Sequence, residues 1–253
     1  MIFASDLDNT LIHSYKRYEP NDICIETKDG KRLSYMSRDA FDLLQKVNKQ
    51  CLFVPVTTRS VEQYRRISLL LEATPKFAIV SNGAVLLCSN EVDEEWLSKS
   101  KEMIADCMEK LYAYMDILRN DSYTSFDVRL VDGIFLFTKT NNIAETMKLL
   151  DKAVDKENFE VSNLYEKIYI VPRKMNKGSA LKRFIRKYGR EKGECLLCAG
   201  DSIMDLSMLK IADVAVVPAD FEFSIEKAVF GDDGNFAEFV LREAVKNRIR
   251  YVN

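Results

Sequence analysis

The sequence holds a single histidine and a single tryptophan, and neither charge is in surplus: 37 Lys and Arg stand against 39 Asp and Glu, a net charge of −2. Proteins that grip nucleic acid through its phosphates carry a basic excess, so that class of partner is excluded. No window approaches the roughly 18 uncharged apolar residues of a membrane span. The opening MIFASDLDNT turns acidic within six residues and has no basic leader, so it does not read as a secretory signal. Cys195 and Cys198 have CxxC spacing, but no second pair exists and the lone His13 does not complete a zinc set. The other cysteines are Cys24, Cys51, Cys88 and Cys107. Nearly all six lie in apolar runs, as free thiols in a reducing cytoplasm do. There is no internal repeat and no low-complexity tract.

What is present is ordinary globular material, 47% hydrophobic and 30% charged. At roughly 150 residues per domain, 253 residues allow one or two domains. Ile2–Ser5 is a short apolar run that stops at acids, which predicts a buried parallel strand with carboxylates at its carboxyl end. Residues 23–35 predict a hairpin turning at Asp29-Gly30. Ser37 caps an expected helix through Lys49, with Phe41, Leu44 and Val47 on one face. Apolar runs at 52–56 and 77–80 stop at Thr57-Thr58-Arg59 and Ser81-Asn82-Gly83, with a helix capped by Ser60 between them. That helix carries Val61, Tyr64, Ile67 and Leu71 at helical spacing.

The rhythm then changes. One long amphipathic helix is expected over 93–118, then a half-exposed strand through Phe126, Val128 and Leu130, a turn at Asp132-Gly133 and a strand over 134–137. A helix carrying Ile143, Met147, Leu150 and Val154 and a strand over 166–171 complete this stretch. The strand–helix alternation returns after Pro172, with a helix over 177–188, strands at 195–199 and 214–217, and a helix over 236–248. The expected fold is α/β: a Rossmann-like parallel sheet core with helices on both faces, plus an inserted α+β cap domain. The core spans 1–83 and 172–253, and the cap spans 84–171.

Four features fall at strand ends of this one sheet. In extended chain Asp6 and Asp8 point the same way, so their carboxylates meet at the mouth of the sheet, where open α/β sheets bind ligands. Two adjacent carboxylates repel, and a hard divalent ion such as Mg²⁺ suits them; a helix-capping aspartate is the plainer alternative. Asp201 leaves the 195–199 strand, and Asp205 lies one helical turn on. Thr57 ends the second strand and Lys177 opens the post-insertion helix. A hydroxyl and an ammonium at a sheet mouth neutralise and hold phosphoryl oxygens. Arg59 and Asn82 also stand at strand ends, placed to meet substrate, and Arg59 is equally suited to pairing with a helix acid.

In this order the residues resemble the haloacid dehalogenase superfamily of phosphohydrolases. DLDNT at 6–10, Thr57, Lys177 and GDSIMD at 200–205 match its four motifs. VTTRS at 56–60, SNGA at 81–84 and NKGSAL at 176–181 resemble its large-cap, Cof-type and sucrose-phosphatase-like branch. The 120 positions from Thr57 to Lys177 leave room for that cap. The resemblance implies a Mg²⁺-dependent phosphomonoester hydrolase acting on a small phosphorylated metabolite such as a sugar phosphate. Asp6 would attack phosphorus and become an aspartyl phosphate, and Asp8 would serve as general acid and base. Thr57, Thr58 and Lys177 would hold phosphate. Mg²⁺ would sit on the Asp6 carboxylate, the Asp8 backbone carbonyl, Asp201 and, directly or through water, Asp205.

Some positions depart from that branch. Thr58 stands where glycine is usual and Met204 where asparagine is, VAVVPAD at 214–220 differs from a small-residue pattern, and the hairpin at 23–35 is longer. A receiver domain is excluded by length and by the acidic motif after the lysine. A phosphosugar mutase of the same superfamily and a non-catalytic phospholigand-binding protein are the alternatives. His13 reads as a flap or surface residue, and Tyr165 and Tyr169 as strand packing or the border of a sugar site. Arg129 and Lys139 on the cap are candidates to face the cleft, with neither face assigned.

Overall fold

The structure is a computed structural model that describes residues 1–67, 75–232 and 234–252, with side chains through 248. It divides into two compact units, residues 1–93 with 176–253, and residues 94–175.

The first unit begins with β1 (Ile2–Ser5). A flap follows, in which β2 (His13–Ser14) pairs with β4 (Lys31–Met36), and β4 with β3 (Ile23–Lys28). The β3–β4 turn places Asp29 and Gly30 at φ 51° and 73°, the left-handed pair that a tight hairpin turn requires. Helix α1 (Arg38–Gln50) starts at Ser37, whose Oγ accepts from the Ala40 amide at 3.2 Å. Next come β5 (Leu52–Pro55), α2 (Val61–Arg65), and an antiparallel ladder of β6 (Phe77–Val80), β7 (Val85–Cys88) and β8 (Glu91–Val92).

The second unit contains α3 (Glu94–Met103), α4 (Met108–Asn120), β9 (Arg129–Val131), β10 (Phe135–Lys139), α5 (Ile143–Ala153), β11 (Phe159–Leu164) and β12 (Lys167–Pro172). Its four strands form an antiparallel sheet in the order β11-β12-β10-β9. The chain re-enters the first unit through α6 (Lys177–Tyr188), β13 (Leu196–Ala199), α7 (Leu206–Leu209), β14 (Val214–Val217), β15 (Ala228–Phe230) and α8 (Phe236–Val252).

The central sheet is parallel, in the order β15-β14-β13-β1-β5, and is flanked by helices, with α1 packed on α8 and α6 on α7. β1 is therefore an inner strand, in register with Leu52–Pro55 on one side and Leu196–Ala199 on the other. Inner parallel strands are covered on both faces, which is why Ile2–Ser5 and Leu196–Ala199 are unbroken buried runs. Phe3 and Phe53 stack across the β1–β5 pair at 5.3 Å, each burial contributing about 1.5–3 kcal/mol. β6 lies alongside the end of β5 through the parallel Val56–Ile79 bridge.

Several boundaries differ from expectation. The division falls at 93/94 rather than 83/84, because β7 hydrogen-bonds back to β6 and β8 to β7, and both stay with the first unit. The long helix expected over 93–118 is two helices joined by a tight turn at Ala105–Cys107, entered by an Ile104 amide bonded to Lys101 three residues back. Trp96, Ser100, Cys107 and Leu111 are buried on both sides of this break, so the periodicity gives no sign of it. The strand expected from Phe126 pairs as a ladder only from Arg129. β11 and β15 carry no periodic signature strong enough to have been expected. Leu71 lies outside the described residues.

Candidate active site

Asp6 is the first residue beyond β1, and its amide donates to Ala199 O at 2.9 Å, so two inner strands fix its backbone. Lys177 opens α6 behind the Asn176 cap, where Asn176 and Ser179 exchange backbone and side-chain bonds as a capping box. The Lys177 side chain is 1% exposed. Its ammonium donates to Asp6 Oδ1 and to Asp205 Oδ1, both at 2.6 Å. Burial works against its charge, but Asp205 and Asp6 outweigh it and hold the lysine above its ordinary pKa.

Asp205 closes a short 3-10 turn rather than riding a full helix. Its Oδ2 accepts from the Asp201 and Ser202 amides and from Ser202 Oγ at 3.0–3.1 Å. Both its oxygens are thus engaged by the protein. Gly200 permits this: a Cβ there would lie 2.4–2.5 Å from the Asp205 carboxyl carbon and Cβ. Asp201, half-buried, accepts from Thr10 Oγ1 at 3.3 Å. Burial first, and Asp205 second, push its pKa up to about 7. Burial also holds Asp6 well above the usual carboxylate range, with Lys177 opposing it and Asp205, Asp201 and Asp8 adding to it.

Asp6, Asp201 and Asp205 each bring a carboxylate oxygen within 4.8 Å of the others. With all three ionised, three carboxylates against one ammonium carry a double negative charge in a buried site, which burial alone resists. Hard oxygen donors and that residual charge fit a divalent ion such as Mg²⁺. Asp6 and Asp201 offer oxygens to such an ion, while Asp205 also accepts from Lys177, from Ser202 Oγ and from the Asp201 and Ser202 amides. The Asp8 side chain stands outside this cluster of three.

The structure gives Asp6 and Asp8 separate partners. The chain turns sharply after Leu7, whose carbonyl takes three successive amides from Thr10 to Ile12, and Asn9 is left-handed at φ 62°. Asp8 is 49% exposed, and its two oxygens accept from Arg59 Nε at 2.7 Å and Nη2 at 2.8 Å. Arg59 is a two-pronged partner of Asp8 and of Glu26. Glu26 itself gave no motif-like signal in the sequence. Thr57 is buried, with its amide on Ile79 O at 2.9 Å and its hydroxyl accepting from the Arg59 amide at 3.2 Å. Asn82, buried and left-handed, donates its amide to Thr57 O at 3.0 Å, which ties the two strand-end loops together. Thr58 is half-buried between them.

His13 pairs with Asp22 at 2.8 Å in the flap and stacks on Tyr35. Cys195 and Cys198 are buried free thiols. In the second unit Tyr169 packs on Phe137 at 5.4 Å while Tyr165 is exposed at a hairpin tip. Arg129 lies 4.5 Å over the Phe126 ring, and Lys139 pairs with Glu166. No helix among the described residues is long and apolar enough to cross a membrane.

A family model for sucrose-6F-phosphate phosphohydrolase matches residues 1–225. No curated protein matches the chain at a significant level. Among solved structures, the sucrose-phosphatase of Synechocystis sp. PCC6803, in complex with sucrose and phosphate, is similar with a TM-score of 0.65 at 14% identity, covering 98% of both chains. A Thermoplasma acidophilum protein is similar at 0.66 and 14% identity, covering 98% of this chain and 97% of its own. A haloacid dehalogenase subclass IIB sugar phosphatase follows at 0.60 and 16% identity, with 97% and 98% covered. At these identities the likenesses show the fold.

Proposed function

The chain belongs to the sucrose-6F-phosphate phosphohydrolase family of haloacid dehalogenase phosphatases, hydrolases of phosphomonoesters, and on that premise we propose that it releases phosphate from a small sugar phosphate through a covalent intermediate on Asp6. The observation that carries this reading is the fully buried Lys177 holding Asp6 by one oxygen. That contact opposes the protonation that burial favours and leaves the second oxygen of Asp6 to act as the nucleophile.

In the first step an Asp6 oxygen bonds to phosphorus as the bond to the sugar oxygen breaks, and Asp8 gives that oxygen its proton. In the second, Asp8 takes a proton from the water that attacks the aspartyl phosphate, freeing phosphate and Asp6. Lys177 offsets charge throughout, and Thr57 and the Thr58 backbone hold phosphoryl oxygens. Asp6, Asp201 and the Asp8 carbonyl would hold Mg²⁺, with Asp205 positioning Lys177 and the Asp201 turn. When bound, the ion neutralises phosphoryl oxygens as charge develops on them. The unit 94–175 acts as the substrate-selecting cap, Asn82 meets substrate, and the setting is cytoplasmic.

The sucrose and phosphate held by the Synechocystis relative make sucrose 6-phosphate the first compound to assay, followed by trehalose 6-phosphate and hexose 6-phosphates. Mg²⁺-dependent phosphate release from at least one is expected. Formation of an isomeric sugar phosphate without release would favour a mutase. Silence toward all of them, and toward acetyl phosphate and p-nitrophenyl phosphate, would leave only a binding protein.

A further inference from the structure

Glu26 has no part in the chemistry above, yet it is among the most constrained carboxylates in the protein. It is 3% exposed, on a flap hairpin whose tip lies in solvent. Its Oε2 accepts from Arg59 Nη1 at 2.8 Å and from Ser34 Oγ at 2.6 Å, and its Oε1 accepts from Arg66 Nε at 3.1 Å. Arg59 then presents its other edge, Nε and Nη2, to both oxygens of Asp8.

The hairpin is built to aim this residue. Its pairing runs Cys24 to Tyr35, Glu26 to Ser34 and Thr27 to Arg32, so Ile25 is an extra residue on one strand and Leu33 on the other. Irregularities of this kind re-aim side chains that a regular ladder would send elsewhere. Here the pair they isolate, Glu26 and Ser34, meets the same guanidinium. The backbone of Glu26 also bridges to Ile67 beyond α2.

A guanidinium is a planar fork, so fixing Nη1 fixes the direction of the opposite edge. We infer that Glu26 is a positioning residue for proton transfer to the leaving oxygen, aiming Arg59, which in turn orients the Asp8 carboxylate. Asp8 is half-exposed, so Arg59 supplies the rigidity that packing does not. This rests on Asp8 being the acid and base of the proposed hydrolysis, and the flap thereby takes part in catalysis without touching substrate.

The test compares two aryl phosphates in the full-length chain with Mg²⁺. Phenyl phosphate needs a proton on its leaving oxygen, whereas 2,4-dinitrophenyl phosphate leaves as a stable phenolate. Glu26→Gln should lower kcat/KM for phenyl phosphate about 10-fold or more and that for the dinitrophenyl ester by less than about 2-fold. A purely structural role would lower both alike. Should Glu26→Gln fail to fold by circular dichroism, Glu26→Asp and Ser34→Ala, which keep all four charges, carry the same comparison. Equal losses, or none, in the Glu26 variants beside a selective loss in Asp8→Asn would overturn the inference. An unselective Asp8→Asn would instead count against Asp8 as the acid.

Discussion

Lys177 Nζ lies 2.6 Å from Asp6 Oδ1, with both side chains removed from solvent and 171 positions of sequence between them. The contact joins the end of an inner strand to the start of a helix that returns only after the second unit. A buried ion pair of this kind is a poor source of net stability, because desolvation offsets attraction, but breaking it leaves an uncompensated charge. Its presence is best explained by the carboxylate it holds ready.

Lys177→Met should therefore cost both stability and turnover. Removing one partner of a buried pair costs about 3–5 kcal/mol, and here it abandons Asp6 and Asp205 together. Thermal denaturation should show a lower midpoint, and Mg²⁺ should raise the variant's midpoint more than that of the parent. An unchanged midpoint would show that Lys177 does not compensate these carboxylates.

Stability should also depend on pH in a direction opposite to that of ordinary paired acids. Asp201 titrates near 7 in the folded protein, above its ordinary 3.8. The native state therefore binds the extra proton, and stability falls as pH rises from about 4 to about 7, by at most about 1.4 kcal/mol per unit for this group. Without divalent ions the melting midpoint should drop between pH 5 and 7. Saturating Mg²⁺ should flatten the drop, since it binds the deprotonated cluster. A midpoint rising over this range in chelator would contradict the raised Asp201.

Gly178 tests the packing that supports Lys177. Alanine is the better helix former by up to about 1 kcal/mol. A Cβ at Gly178 would nevertheless lie 2.2 Å from the Ser207 carbonyl oxygen, a backbone atom that has little room to yield. Overpacking of this kind costs about 1–3 kcal/mol. Gly178→Ala should be net destabilising in denaturant unfolding and should reduce activity through the displaced first turn of α6.

Much of this was legible in the sequence because it is local. Ile2–Ser5 ends in acids, Asn176 caps the helix that Lys177 opens, and Asp29-Gly30 makes its turn whatever lies around it. The four motif positions inherit their places from those elements. Illegible were relations set by distant chain. Glu26 reads as one polar residue in an alternating strand until two irregularities in pairing turn it toward Arg59. Asp205 reads as a metal ligand, direct or through water, and its further bonds to Lys177 and to its own turn are set by the fold. Arg59 reads equally as substrate-facing or as paired with a helix acid, because its partners depend on where the flap folds.

The central claim is that Asp6 carries the phosphoryl group. Enzyme turning over acetyl phosphate or sucrose 6-phosphate with Mg²⁺ can be quenched in acid and its peptides weighed. The peptide containing Asp6 should gain the mass of one phosphoryl group, the adduct should be lost to hydroxylamine, and Asp6→Asn should show neither adduct nor turnover while keeping its circular dichroism spectrum. Normal Mg²⁺-dependent turnover by Asp6→Asn, with no adduct on the parent, would contradict the account.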